Sequence, residues 1–255
     1  MSRPNKSPDP ADDRFSQLSA SGQLKVNYQP IVDIQDLNVR EIRISLATGV
    51  KEGIKEVNSG FLRFIAGIIK KQKLPLGPVY SIAALRGGWF DDRNAGLFDE
   101  AVEIPESMGV EPELLKLEIN EKDLLSLPAR SHRLLKKLRR SRLKLCLVCR
   151  DTMLTSLRLL SAVPLDSIKI SCRPLRGGVS GLREREILNT IISACHELNL
   201  KVIAFGVKGE QHLEVLKNMG CRLASGEYFL NPVSLKRLKE NLKEENKKIY
   251  LRPGA

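Results

Sequence analysis

KVIAFGVKGEQHLEVLKNMGCRLASGEYFLNP, residues 201–232, reads as a strand, a helix and a second strand in succession. Lys201–Ala204 has the apolar, β-branched character of a strand, Gln211–Met219 has helical spacing, and Arg222–Ala224 is strand-like again. Gly220 follows the helix as a natural C-cap, because glycine takes the left-handed conformation there without steric cost. Two strands joined through one helix lie parallel in a shared sheet. The same alternation recurs upstream, with strands expected at Lys25–Ile34, Arg40–Ala47, Val79–Leu85, Leu114–Ile119, Lys144–Val148 and Ser167–Ile170. Helices are expected at Gly60–Gln72, Leu182–Leu198 and Ser234–Lys243, and another precedes Lys144.

Repeated strand–helix units predict a parallel sheet buried on both faces. Eight strands in 255 residues favour closure into a barrel, since such barrels run to about 250 residues as one domain. One connection departs from that pattern. Gln35–Asn38 is too short for a crossover helix, so the first two strands are expected to pair antiparallel. The expected fold is α/β, a modified TIM-type (β/α)8 barrel with an antiparallel early strand. Residues 1–20, rich in Ser, Pro and Asp, read as a disordered tail, residues 21–246 as the barrel domain, and 247–255 as a C-terminal tail.

No apolar run approaches the roughly 18 residues that cross a bilayer. The N-terminal segment lacks the apolar middle of a secretory signal, so a cytoplasmic protein is expected. The net charge of +12 is concentrated in Arg133–Lys144 and Lys236–Lys248, both with helical spacing. Each reads as a solvated helix face or as an attraction for an anionic partner. Aromatic residues at 5% supply no base-stacking platform, and no helix-turn-helix or zinc-finger pattern is present, so nucleic acid is not an expected partner. Cys146 and Cys149 form a CxxC inside a strand. Three residues apart they point to opposite faces and cannot jointly hold a metal. The five cysteines are expected to be buried, reduced thiols.

In such a barrel, functional groups come from the C-terminal ends of parallel strands. Those ends offer Glu41, Glu118, Glu121, Asp151 and Phe205, with Lys169 inside the strand SIKIS. Glu118 within the apolar run LKLEI requires a cation, a metal or strong hydrogen bonds, because an unpaired buried carboxylate is costly. Lys169 is a candidate partner, and a structural ion pair and a functional site both fit these residues.

The run YQPIVDI…EIRIS (residues 28–45), LKLEINE, SLRLLSAVPLDSIKIS, VIAFGVKGEQHLEVLKNMGC and SGEYFLNP together resemble the EAL domain family of bacterial cyclic di-GMP phosphodiesterases. The resemblance spans roughly residues 22–235. It implies a barrel with an antiparallel early strand and, in active members, two Mg²⁺ or Mn²⁺ ions that activate a water to open cyclic di-GMP to the linear dinucleotide. Its name motif would be Glu41-Ile42-Arg43, and Glu41, Glu118, Glu121 and Lys169 would match functional positions. Other positions depart from it. The metal-bridging Asp pair falls on Val148 and Cys149, and a glutamate falls on Phe205. The last acid of that run falls on Lys208, the glutamine of the closing motif on Ser225, and a substrate-contacting arginine on Ser45. An asparagine ligand falls near Ala84, and Asp151 and Met153 stand at two glycine positions.

Losing the bridging acids removes charge that would neutralise two divalent ions. The resemblance therefore implies a degenerate, non-catalytic member in cyclic di-GMP-related signalling. It would act by binding a protein partner or intact cyclic di-GMP, with no metal held, and a homodimer is compatible with it. Gln29, Lys169 and Lys208 are the candidate ligand contacts. The alternative is a residual phosphodiesterase, needing Mg²⁺ or Mn²⁺ on Glu41, Glu118 and Glu121.

Overall fold

The computed structural model describes residues 15, 17–19, 21–22, 24–46, 59–71, 79–82, 97–121, 140, 142–149, 163–176 and 181–242. Within them a barrel closes in sequence order from β1 (Val26–Asp33), β2 (Val39–Leu46), β3 (Val79–Ile82), β4 (Leu115–Asn120), β5 (Lys144–Cys149), β6 (Ser167–Ser171), β7 (Lys201–Phe205) and β8 (Leu223–Ser225). Neighbours from β2 to β8 are parallel, and β1 runs antiparallel to both β2 and β8. The reversal of β1 has a local cause. Asp33 Oδ1 accepts the Gln35 N–H at 3.0 Å and Asp36 Oδ1 accepts the Asn38 N–H at 2.9 Å. Leu37 sits at φ 59, and Asp33 N donates to Asn38 O at 2.9 Å, closing a tight turn.

Period-two alternation sorts each strand into an outer and an inner face. Outward side chains such as Ile42, Ile44, Leu117, Ile119, Leu145, Leu147 and Ile168 join the main core under the helices. Inside the barrel, Ile31, Cys146 and Ile203 form a separate apolar plug with Leu223 against it. The CxxC reading agrees with this, because Cys146 belongs to the inner cluster and Cys149 to the outer one. All five cysteines are buried, and burial, with Glu118 nearby, pushes the Cys146 thiol up to about 12.

The helices cover the outer face as their apolar spacing dictates. They are α1 (Ser59–Lys71), α2 (Leu97–Ser107), α3 (Gly181–Glu197), α4 (Glu210–Asn218) and α5 (Leu235–Asn241). Helix α1 buries Phe61, Leu62, Ile65 and Ala66, α3 buries Leu188, Ile192 and Cys195, and α4 buries Leu213 and Leu216. Each such Leu, Ile or Phe contributes about 1.5–3 kcal/mol relative to an exposed side chain. Gly220 has φ 74 after α4, and Cys221 N donates to Leu216 O at 2.9 Å, the cap expected from the sequence.

Within the segment expected to be a tail, residues 15 and 17–19 are described, and Phe15 is buried, with its ring 5.6 Å from that of Phe61 and 6.2 Å from that of Phe64. Ala84, Asp151, Met153, residues 133–139 of the basic segment and the tail 247–255 lie outside the described residues. Among the described residues, no helix is long and apolar enough to cross a membrane.

Candidate functional site

At the C-terminal ends of the parallel strands, inward side chains surround a cavity of about 350 Å³. Gln29 comes from β1, Arg43 from β2, Glu118 from β4, Val148 from β5, Lys169 from β6 and Phe205 from β7. Ser225, Gly226, Glu227 and Asn231 complete the wall with Gly206 and Lys208. Gly226 permits a close backbone approach here: a Cβ on it would stand 2.2 Å from Val207 O and 2.3 Å from Val207 N. Those distances exclude any side chain unless the backbone moves.

Glu118 is the buried acid at the centre. Its Oε1 accepts from Lys169 Nζ at 2.9 Å, from Arg43 Nε at 3.0 Å and from Ser81 Oγ at 3.2 Å. Its Oε2 accepts from Arg43 Nε at 2.8 Å. Burial on its own would raise the carboxyl pKa. Lys169 and then Arg43 overcome that and hold it at about 2, so the group stays ionised. Burial pushes the Lys169 ammonium down, and Glu118 opposes the shift. The Lys169 ammonium also lies 5.9 Å from the centre of the Phe205 ring.

The other sequence candidates separate into those the mouth gathers and those it does not. Gln29 Nε2 donates to Leu230 O at 3.5 Å, at the edge of hydrogen-bond range. Lys208 Nζ pairs with Glu227 Oε1 at 2.6 Å on the half-exposed rim. Val148 faces the cavity, whereas Cys149 turns outward into the core. Ser225 Oγ is buried at the mouth without a hydrogen-bond partner among the described residues. Glu121 is half-buried just beyond β4 and does not line the cavity.

Glu41 is a correction. It does not join Glu118 but lies toward the opposite end of the barrel, where Lys116 Nζ donates to its Oε1. The register explains why. Glu41 pairs with Ile31 and Val79, and Arg43, two residues further along β2, pairs with Gln29 and Ser81 at the level of the mouth. Sequence reading missed Arg43 as a site residue. Strand direction combined with alternation carried the signal, because 41 and 43 share a face and 43 is nearer the C-terminal end. Ser81 was missed as well, a small inward residue on β3 between the two charged strands.

The comparisons agree with this architecture. The EAL domain model matches residues 92–232, and the chain belongs to the EAL domain family. It is 32% identical over 149 residues to the cyclic di-GMP phosphodiesterase NbdA of Pseudomonas aeruginosa, covering 58% of this chain. The matched stretch is 19% of NbdA, so the chain spans about a fifth of that relative's length. Among solved structures, the PaMucR phosphodiesterase in its c-di-GMP complex superposes with a TM-score of 0.73 at 20% identity, over 89% of this chain and 99% of that one. The cAMP-bound EAL enzyme Bd1971 gives 0.71 at 19% identity, over 90% and 68%. At these identities the superpositions establish the barrel fold.

Proposed function

We propose that this chain is a degenerate, cytoplasmic EAL-domain protein that binds without hydrolysing, in cyclic di-GMP-related signalling. Its barrel domain would begin no later than Phe15. The observation that carries this reading is the Glu118 carboxylate, both oxygens of which accept from fixed cations. A two-metal phosphodiesterase needs several carboxylate oxygens turned toward the ions. Here Arg43 supplies positive charge from β2, Val148 and Phe205 present hydrocarbon, and Cys149 faces away. Divalent ions would have to displace Arg43 and Lys169 from Glu118, the one buried acid lining the mouth among the described residues. On this reading the described residues of the mouth do not fit two divalent cations, and no hydrolytic step is assigned to them.

Binding to a protein partner is the output this reading favours. Leu182 at 58% and Ile187 at 38% exposure give α3 apolar footholds on the outer surface. A second ligand, intact cyclic di-GMP, is favoured by the mouth itself. Arg43, Lys169 and Lys208 suit phosphate oxygens, and the buried Ser225 hydroxyl lacks a partner among the described residues, which a ligand would supply.

Titration calorimetry of cyclic di-GMP with and without Mn²⁺ tests this. The expected isotherm is the same in both conditions, and the nucleotide is recovered intact. Binding that requires the metal and ends in linear dinucleotide would overturn the reading.

A further inference from the structure

We propose that the opposite mouth of the barrel is a second binding site, for a small phosphate ester that also carries a hydroxyl or amino donor. It does not depend on the reading of the first mouth.

A cavity of about 510 Å³ opens at the N-terminal ends of the parallel strands, within the usual range of ligand pockets. Glu41 lines it and is only 4% exposed. Lys116 occupies Glu41 Oε1, whereas Oε2 is buried with no hydrogen-bond partner among the described residues. A carboxylate oxygen left dry and unpaired is destabilising, and a donor entering the cavity relieves that cost.

The rest of the wall asks for the opposite charge. Arg40, Lys201 and Arg222 line the same cavity. The other carboxylate there, Asp33, is already engaged, accepting from Arg222 Nε at 2.7 Å and from an Arg40 terminal nitrogen at 3.4 Å. Arg40 is also held by Asp36 at 2.5 Å. Arg222 reaches Asp33 through Nε, which leaves its terminal nitrogens out of that pair. Guanidinium and ammonium groups lining one cavity suit the several oxygens of a phosphate. A bare anion would set its own acceptors against Glu41, and a metal ion would meet three cations. A phosphate ester with a donor on its organic part satisfies both halves of the wall.

Calorimetry on the full chain with ribose 5-phosphate, inorganic phosphate and ribose tests the assignment. Ribose 5-phosphate should bind at least about tenfold more tightly than either fragment. Lys201→Ala should weaken it by about tenfold, the worth of one charge-assisted bond, and Lys208→Ala at the other mouth should leave it unchanged. Glu41→Gln should erase the preference over inorganic phosphate. If that variant does not fold, because Lys116 loses its partner, the exposed Lys201→Ala still decides. No binding of ribose 5-phosphate at millimolar concentration, equal affinity in wild type and Lys201→Ala, or loss with Lys208→Ala alone would each overturn the proposal.

Discussion

The two ends of this barrel use the same two strands with their charges exchanged. Near the N-terminal end β2 gives an acid, Glu41, and β4 a base, Lys116. Two residues further up, β2 gives the base, Arg43, and β4 the acid, Glu118. Each pair reaches across β3, whose inward residues at these levels, Val79 and Ser81, are small enough to pass beneath. The upper acid is satisfied on both oxygens, by Arg43, Lys169 and Ser81, and the lower one keeps an oxygen without a partner among the described residues. A closed set of charges holds the barrel together, and an open set leaves something to bind.

The comparison breaks most visibly at Glu118. Glu118→Gln should destabilise the fold by about 3–5 kcal/mol, since it leaves Arg43 and Lys169 without a counter-charge. Urea unfolding at neutral pH measures this. The acid limb sharpens the same point. Glu118 has its folded pKa lowered from 4.5 to about 2, so its contribution is complete above 4.5 and is lost as pH falls toward 2. The stability gap between wild type and Glu118→Gln should therefore be flat above that range and shrink below it. A gap that persists unchanged at pH 2 would contradict the pairing.

Gly226→Ala should cost about 3 kcal/mol by forcing the Val207 backbone away from the mouth, read as a lowered urea midpoint. Restoring acids tests the register of β2. Arg43→Glu combined with Val148→Asp and Phe205→Glu should raise Mn²⁺ affinity above that of the wild type, and Val148→Asp with Phe205→Glu alone, which keeps Arg43 and relies on Glu41, should not. The smallest effect belongs to the rim. Lys208→Ala should change stability by less than about 1 kcal/mol, as expected for a half-exposed ion pair.

The strands were legible because each is a short apolar run between helices, and all eight expected strands overlap those of the barrel. The antiparallel β1 followed from a connection too short to cross over. Helix α2 was not anticipated; it carries Pro105, which in a sequence reads as a break. The site was legible where alternation alone decides, as for Glu118 with Lys169 and for the opposed cysteines. It failed at Glu41 because alternation fixes the face of a side chain and not its height along the barrel axis. Height depends on how β2 is staggered against β1 and β3, and positions 41 and 43 share one face of the strand. Phe15 illustrates a related point, since composition describes a segment and one aromatic ring within it can still reach the core.

The central claim is that the family's barrel persists here with its mouth closed to two-metal chemistry. Prolonged incubation of the protein with cyclic di-GMP and excess Mn²⁺, followed by chromatography of the nucleotide, tests it most directly. The account predicts that cyclic di-GMP is recovered intact. Linear dinucleotide formed over several turnovers, and absent with Glu118→Gln, would contradict it.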